Sequence, residues 1–138
     1  SNQILNFNRA SLIKAHCPQP SQLTKSPDTR IWSYRKFWRS YNPSLAKSLN
    51  VFSGAQWSGS TVGSIICIYN NKENSLFPVL VYFSGLTKMP TGKNWQQTRG
   101  GYRNCKQGDV TKCSFYAFTP SKKKVDLYEE ALKLRKKT

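Results

Sequence analysis

The stretch TVGSIICIYNNKENSLFPVLVYF, residues 61–83, decides the fold of this chain. It contains two apolar runs, 61–69 and 76–83, separated by the polar residues 70–74. The first run is rich in β-branched side chains, and two such runs joined by a polar turn predict an antiparallel hairpin. Pro78 has no N–H to donate to a strand ladder, so we expect the second run to start at a sheet edge or a bulge.

Two segments on the N-terminal side of this hairpin also predict strands. Residues 31–39, IWSYRKFWR, are dense in aromatic and β-branched side chains and are followed by Asn42-Pro43, which breaks the run. As one strand, this segment would place four side chains on a single face: Trp32, Tyr34, Lys36 and Trp38. Residues 50–57, NVFSGAQW, predict a second strand interrupted by a glycine.

The C-terminal side predicts a loop, a strand and a helix. Residues 84–104 are polar and rich in glycine, so we expect a long loop there. Residues 112–118, KCSFYAF, predict a further strand, which Thr119-Pro120 closes. In 121–138 the apolar side chains recur at helical spacing and the chain ends in basic residues, a pattern that predicts an α-helix with a basic tail.

These elements predict one domain spanning residues 1–138, a length that can bury its own core. We divide it into an N-terminal arm with a Pro-rich segment (1–30), a β core (31–120) and the helix with its basic tail (121–138). The predicted fold class is mainly β: an antiparallel sandwich or open barrel with a C-terminal α-helix (α+β). No apolar run approaches the roughly 20 residues that a membrane-spanning helix needs.

Four cysteines allow three disulfide pairings, and none of them has C-x-x-C spacing. Cys105–Cys113 would close a short loop containing Gly108-Asp109, which suits a turn between two strands. The remaining pair is then Cys17–Cys67, which would attach the N-terminal segment to a central strand.

Two structural disulfides indicate an exported protein, secreted or periplasmic, from which we take a signal peptide to have been removed. Two alternatives stay open at this point. One is four free thiols in a cytosolic protein. The other is a Cys3His zinc site, for which the adjacency of His16 and Cys17 makes tetrahedral ligation awkward.

The charge of the chain is strongly positive, with 22 Lys and Arg against 6 Asp and Glu and a net charge of +16. The surplus is +4 within residues 121–138 and +12 over the preceding 120 residues, so most of it belongs to the body of the domain. Such a field attracts phosphate, anionic lipid or acidic glycan, with a strong dependence on salt. The alternative is an evenly solvated surface that serves solubility.

Residues suited to catalysis are few. His16 is the single histidine, and the six carboxylates form no convincing pair for glycoside hydrolysis. Motifs for a nucleophile elbow, a P-loop, a zinc protease or a dinucleotide fold do not occur. The sequence therefore favours a protein that is not an enzyme and uses no cofactor or metal. The enzymatic rival is a basic nuclease-type toxin, in which His16 would act with Lys, Arg or Tyr helpers.

Two clusters interleave cations with aromatic rings, which suits phosphate contact with stacking on bases or sugars, or insertion at a lipid interface. The first comprises Arg35, Lys36, Trp38 and Arg39, with Tyr34 and Tyr41 beside them. The second comprises Lys88, Lys93, Trp95, Arg99, Tyr102, Arg103, Lys106 and Lys112. The alternative is that the rings are core and the cations occupy the wet faces of ordinary strands.

The order Cys17-Pro18-x-Pro20, Trp38, Phe52-x-Gly54-Ala55-x-Trp57 and Gly63-x-Ile65-x-Cys67-x-Tyr69 resembles a group of small exported domains in intracellular Gram-negative bacteria of the Legionella and Coxiella kind. The function of these domains is uncharacterised. The resemblance implies a periplasmic or secreted, disulfide-bonded β domain that could be a secretion-system substrate. It carries over no catalytic residue, and residues 84–112 have no counterpart in it.

Our leading hypothesis is a secreted or periplasmic basic binding domain, in character a bacterial virulence effector. It would engage an anionic surface or ligand, whether phospholipid headgroups, nucleic acid or acidic glycan. The first alternative is the nuclease-type toxin. The second is a cell-envelope or secretion-system component whose charge meets an acidic protein partner.

Overall fold

The structure is a computed structural model that describes residues 11–119, without the side chains of residues 74–76. The helix predicted over 121–138 and the first residues of the predicted arm lie outside the described residues. Within them, eleven strands pair antiparallel to form one sheet that curves into a half-barrel. The predicted fold class, a mainly β antiparallel domain with two disulfides, is confirmed.

The strands are short at both ends of the chain and long in the middle. In chain order they are β1 Leu12–Ala15, β2 Thr24–Lys25, β3 Trp32–Tyr34, β4 Trp38–Arg39, β5 Val51–Gly59, β6 Val62–Asn71, β7 Asn74–Phe83, β8 Thr87–Lys88, β9 Trp95–Gln97, β10 Tyr102–Cys105 and β11 Phe115–Phe118. Short 3₁₀ turns occur at Pro20–Gln22, Arg99–Gly101 and Val110–Cys113.

The predicted central hairpin is confirmed as β6 and β7, which pair antiparallel across a turn at Lys72 and Glu73. The register shifts between Tyr69 and Asn71, and Pro78 lies in β7 opposite this irregularity, just before Val79 resumes pairing. The predicted bulge at this proline is therefore present. Strand β6 also pairs with β5 along its length and with β8 at its start, so it is the central strand of the sheet.

Strand β5 contains the predicted glycine interruption. Phe52 pairs with Tyr69 and Gly54 pairs with Ile68, so one extra residue bulges out between them. Gly54 has φ +125°, and a Cβ at this position would collide with the backbone carbonyl of Cys105 on β10. The glycine thus allows β10 to approach β5 closely.

The prediction of one strand over residues 31–39 is wrong. The segment forms two short strands, β3 and β4, joined by a tight turn in which Arg35 adopts φ +52°. Lys36 lies in this turn and does not share a strand face with the tryptophans. Trp32 and Trp38 are both buried on the inner side of the sheet.

The predicted long loop over 84–104 is also wrong, because this segment contributes β8 and β9 and the start of β10. Strand β8 joins β6 to β11, and β9 and β10 extend the sheet beyond β5. The strand predicted over 112–118 begins only at Phe115, after a 3₁₀ turn. Gly108-Asp109 therefore leads into that turn and does not join two strands directly.

The β structure begins earlier than predicted, since β1 and β2 both lie within the predicted N-terminal arm. Strand β1 pairs with β11 and forms one end of the sheet, and β2 pairs with β3 at the other end. Residues 16–23 connect these two ends, and Cys17 and Leu23 within them are buried.

Both predicted disulfides are confirmed, and all four cysteines are paired, which excludes free thiols and a zinc site built from them. Cys17–Cys67 attaches the segment after β1 to the central strand β6. Cys105–Cys113 closes the loop between β10 and the 3₁₀ turn. The core between these bonds includes Trp57, Ile65, Tyr69, Val81, Val110 and Phe115.

Candidate functional site

The strand registers align one residue from each of eight neighbouring strands in a single row across the sheet. From one edge to the other these residues are Gln96, Asn104, Gln56, Ile66, Tyr82, Arg39, Ser33 and Thr24. We call this set the outer row. At the usual spacing of about 4.8 Å between strands, it extends on the order of 34 Å along the sheet.

The outer row faces away from the core. Gln56 lies between the buried residues Ala55 and Trp57, and Ile66 lies between the buried Ile65 and Cys67. Because successive side chains of a strand point to opposite faces, the row must occupy the outer face. Every member of the row is half-buried or exposed, and no second layer within residues 11–119 covers it.

Arg39 and two tyrosines form a cluster at the β4–β7 end of the row. The Arg39 guanidinium lies 5.3 Å from the centroid of the Tyr41 ring. Tyr41 in turn makes an edge-to-face contact with Tyr82, with ring centroids 4.9 Å apart. Tyr41 is 58% exposed, so it contacts both the Arg39 guanidinium and the Tyr82 ring and still leaves much of its own ring open to solvent.

Amides and hydroxyls form a hydrogen-bonded ladder at the β10 end of the row. Gln56 Nε2 donates to Asn104 Oδ1 at 3.0 Å, and Asn104 Nδ2 donates to Thr98 Oγ1 at 3.2 Å. Gln96 lies beside Asn104 with its side chain exposed. Tyr102, exposed on the same face, pairs with Ser58 next to the row. These bonds fix the orientation of the amides on a rigid sheet.

A groove lies at the start of β7, beside the loop that follows β4. It has a volume of about 710 Å³ and runs between the loop 42–47 and the start of β7, where Pro78 and Leu80 alternate with inward-facing residues. Leu45 and Phe77 flank it and are 82% and 79% exposed. The loop is held in place because Lys25 Nζ donates to Ala46 O at 2.7 Å. No residue of the outer row lines this groove.

Of the first predicted cluster, only Arg39 belongs to the outer row. Trp38 is 8% exposed and packs against Phe83 at 4.8 Å between ring centroids, so its predicted role at a binding surface is wrong. Arg35 and Lys36 are exposed in the turn between β3 and β4, and the Arg35 guanidinium lies 5.2 Å from the Tyr34 ring centroid.

The second predicted cluster is spread over separate parts of the sheet. Trp95 is 6% exposed and donates through Nε1 to Ser114 O at 2.9 Å, so it is a core residue and its predicted exposure is wrong. Arg103 is half-buried and donates from Nη1 to Pro90 O at 3.3 Å. The other members are exposed: Lys88 on β8, Lys93 in the turn before β9, Arg99 in a 3₁₀ turn, Tyr102 on β10, and Lys106 and Lys112 in the disulfide loop.

The charges of the described residues are unevenly placed. Residues 11–119 contain 14 basic and 3 acidic side chains, a surplus of 11. The acidic residues Asp28, Glu73 and Asp109 all lie in turns or bends and none belongs to the outer row. Arg39 therefore sits on a sheet face without a neighbouring carboxylate in its row, and its charge is available to a ligand.

His16 is exposed and acts electrostatically on Asp109. Its Nδ1 is 2.7 Å from the carbonyl oxygen of Cys17. The pKa of Asp109 is lowered chiefly by the hydrogen bonds from the Thr111 side chain and backbone, and also by the charges of Lys112 and His16. Within residues 11–119 there is no group of three or more side chains able to hold a metal ion.

Comparison with known proteins identifies no relative: no family model, no curated protein and no solved structure matches the chain. The helical segments in the described range are all too short and too polar to cross a membrane.

Proposed function

We propose that this protein is a disulfide-stabilised binding domain that engages an anionic ligand through the outer row. The observation that carries the proposal is the Arg39–Tyr41–Tyr82 cluster on an uncovered sheet face. A guanidinium held over an aromatic ring keeps its planar donors free for a carboxylate, phosphate or sulfate group. The ring beside it offers a stacking surface for the rest of the ligand.

The field of the whole domain supports the same proposal. A surplus of 11 positive charges over the described residues raises the local concentration of anions and speeds their encounter. A sheet face is also rigid, so little side-chain and backbone freedom is lost on binding compared with a flexible loop.

We further propose that the domain acts outside the cytoplasm, as a secreted or periplasmic protein with the character of a bacterial effector. Two disulfides in a chain of this size support an oxidising compartment, because such bonds are rare where thiols are kept reduced. The resemblance to exported domains of Legionella-type bacteria points in the same direction.

The experiment is a comparison of two charge-removing variants. Binding to a heparin column and to anionic vesicles is measured at low and physiological salt for the parent protein, Arg39→Ala and Lys93→Ala. Both variants lose one positive charge, but Lys93 lies in the turn before β9, at the opposite end of the sheet from Arg39, and is not a member of the outer row. We expect Arg39→Ala to weaken binding to the preferred ligand by roughly tenfold and Lys93→Ala by much less. Equal losses of affinity in the two variants would show that binding depends only on the net charge of the protein, and the proposal would then fail.

A second candidate is adhesion to an anionic membrane surface, and a different patch favours it. Three exposed apolar or aromatic side chains share the outer face at β1, β8 and β11, with two exposed lysines among them. The apolar or aromatic members are Leu12, Leu86 and Tyr116, and the lysines are Lys14 and Lys88. Apolar groups flanked by lysines suit an anionic bilayer surface. Vesicle binding that Tyr116→Ser abolishes and Arg39→Ala leaves intact would select this candidate.

A further inference from the structure

We propose that the outer row binds an acidic polysaccharide laid across the strands, with Arg39 contacting a carboxylate of the sugar chain. This inference rests on the proposed function and names the ligand class of the same surface. Three observations carry it: the chemistry of the row, its charge density and its length.

The chemistry of the row matches the groups of a sugar chain. Three of its eight side chains are amides and three carry hydroxyls, and both kinds exchange hydrogen bonds with sugar hydroxyls in either direction. The open ring of Tyr41 offers a flat apolar surface to the C–H face of a sugar ring. Polar groups at fixed positions around an aromatic platform are what an oligosaccharide site requires.

The charge density of the row argues against nucleic acid. A nucleic acid carries a phosphate at every nucleotide, and proteins that bind it line the backbone path with several cations. The outer row holds one cation, Arg39, among seven neutral side chains. A polysaccharide with many neutral hydroxyl groups and an occasional carboxylate matches that arrangement, because only the carboxylate needs a cationic partner.

The length and orientation of the row suit a polymer. Arg39 and Asn104 lie four strands apart, on the order of 19 Å along the sheet, with Tyr82, Ile66 and Gln56 between them. The hydrogen bond between Gln56 and Asn104 sets the amide planes before any ligand arrives. A ligand that spans both ends must be extended, as a polysaccharide is, and a free carboxylate or phosphate ion would meet only the Arg39 end.

The test uses two probes with the same sugar backbone. One is oligogalacturonate with most of its carboxyl groups methyl-esterified, so that a few free carboxylates stand among neutral rings, and the other is its fully methyl-esterified form. Calorimetric titration at physiological salt is performed with both probes, with polyuridylate RNA and with anionic vesicles. We expect the probe with free carboxylates to bind roughly tenfold more tightly than the full ester, and Arg39→Ala to remove most of this difference.

Variants at the β9–β10 end of the outer row test whether the ligand extends that far from Arg39. Gln96→Ala changes an exposed side chain at the sheet edge and leaves the core intact, so it should not affect folding. Gln96→Ala and Asn104→Ala should weaken binding of both galacturonate probes several-fold. The ratio of the affinities for the acidic and the esterified probe should stay unchanged. Thermal unfolding of each variant serves as the control for folding.

Three results would overturn the inference in distinguishable ways. In the first, polyuridylate binds tightly and depends on Arg39, while neither galacturonate probe binds. This result would agree with the proposed function and contradict the assignment of a polysaccharide ligand. In the second, only anionic vesicles bind, which would assign the binding surface to the patch around Tyr116. Absence of binding to every anionic probe at low salt would reject both the inference and the proposed function.

Discussion

The hydroxyl of Tyr69 donates a 2.6 Å hydrogen bond to the carbonyl oxygen of Pro18, directly beside the Cys17–Cys67 disulfide. Tyr69 is fully buried, and burial raises the pKa of its hydroxyl well above the usual value near 10. One covalent bond and one hydrogen bond thus attach residues 17–18 to the central strand at adjacent points.

Removing the Tyr69 hydroxyl should destabilise the fold and change its response to alkaline pH. Tyr69→Phe leaves the Pro18 carbonyl without its partner, at a cost of about 1–3 kcal/mol in the free energy of unfolding. In the parent, the unfolded chain ionises Tyr69 above about pH 10 while the folded chain keeps it protonated, so stability falls as pH rises through that value. Urea unfolding at pH 7 and pH 11 should show a smaller alkaline loss in Tyr69→Phe than in the parent.

The two disulfides should contribute unequally to stability. Cys17–Cys67 closes a loop of sequence separation 50 and Cys105–Cys113 one of separation 8. Loop entropy in the unfolded chain then gives about 4 kcal/mol for the first bond and about 2.5 kcal/mol for the second. Non-reducing denaturation of the paired variants Cys17→Ala/Cys67→Ala and Cys105→Ala/Cys113→Ala should rank them in this order. The reverse order would show that Cys105–Cys113 stabilises the fold by more than its effect on the entropy of the unfolded chain.

Gly54 should tolerate substitution far less well than Gly92, although both have positive φ. Gly54 has φ +125° and a Cβ there would collide with the Cys105 carbonyl, whereas Gly92 has φ +110° and nothing within 4 Å. Gly92→Ala therefore measures the backbone strain alone, about 1 kcal/mol, and Gly54→Ala adds the displacement of β10, for a total of about 3 kcal/mol. Thermal unfolding of both variants checks this, and equal losses would contradict the close approach of β10.

The central hairpin was predictable because each of its runs is long and continuous, so that periodicity and the polar turn agree. The two strands within 31–39 were not. Their turn is made by Arg35 at positive φ, and no glycine, asparagine or proline marks it. Strands β8 and β9 have two and three residues, too few for an alternating pattern to emerge from a polar segment.

The candidate site was predictable only in part, since charge and aromatic content indicate a binding surface but not which side chains share a face. Arg39 belongs to a cluster that the sequence singles out, whereas Gln56, Asn104 and Tyr82, its neighbours in the outer row, carry no such sequence signal. Gln56 and Asn104 are 48 residues apart in sequence and meet only through the register of β5 and β10. Trp95 was misassigned because its polar neighbours suggested exposure, although in a strand such neighbours point to the opposite face.

The surroundings of His16 lead to a prediction about the nuclease alternative. If the neutral ring donates its Nδ1 proton to the Cys17 carbonyl, Nε2 is left as an exposed proton acceptor. RNA cleavage also requires a proton donor for the leaving oxygen. Asp109 does not serve, because the hydrogen bonds from Thr111 lower its pKa and keep it ionised at neutral pH.

We expect the parent protein to leave a fluorogenic RNA substrate uncleaved at neutral pH, because the acidic group whose pKa His16 influences, Asp109, is ionised there and cannot donate a proton. His16→Ala should behave identically in this assay and should bind anionic ligands as the parent does, because His16 lies outside the outer row. A parent protein that cleaves RNA, with the activity lost in His16→Ala and retained in Arg39→Ala, would replace the binding proposal with the nuclease. Cleavage that survives in His16→Ala would point to a contaminating enzyme, and the binding proposal would stand.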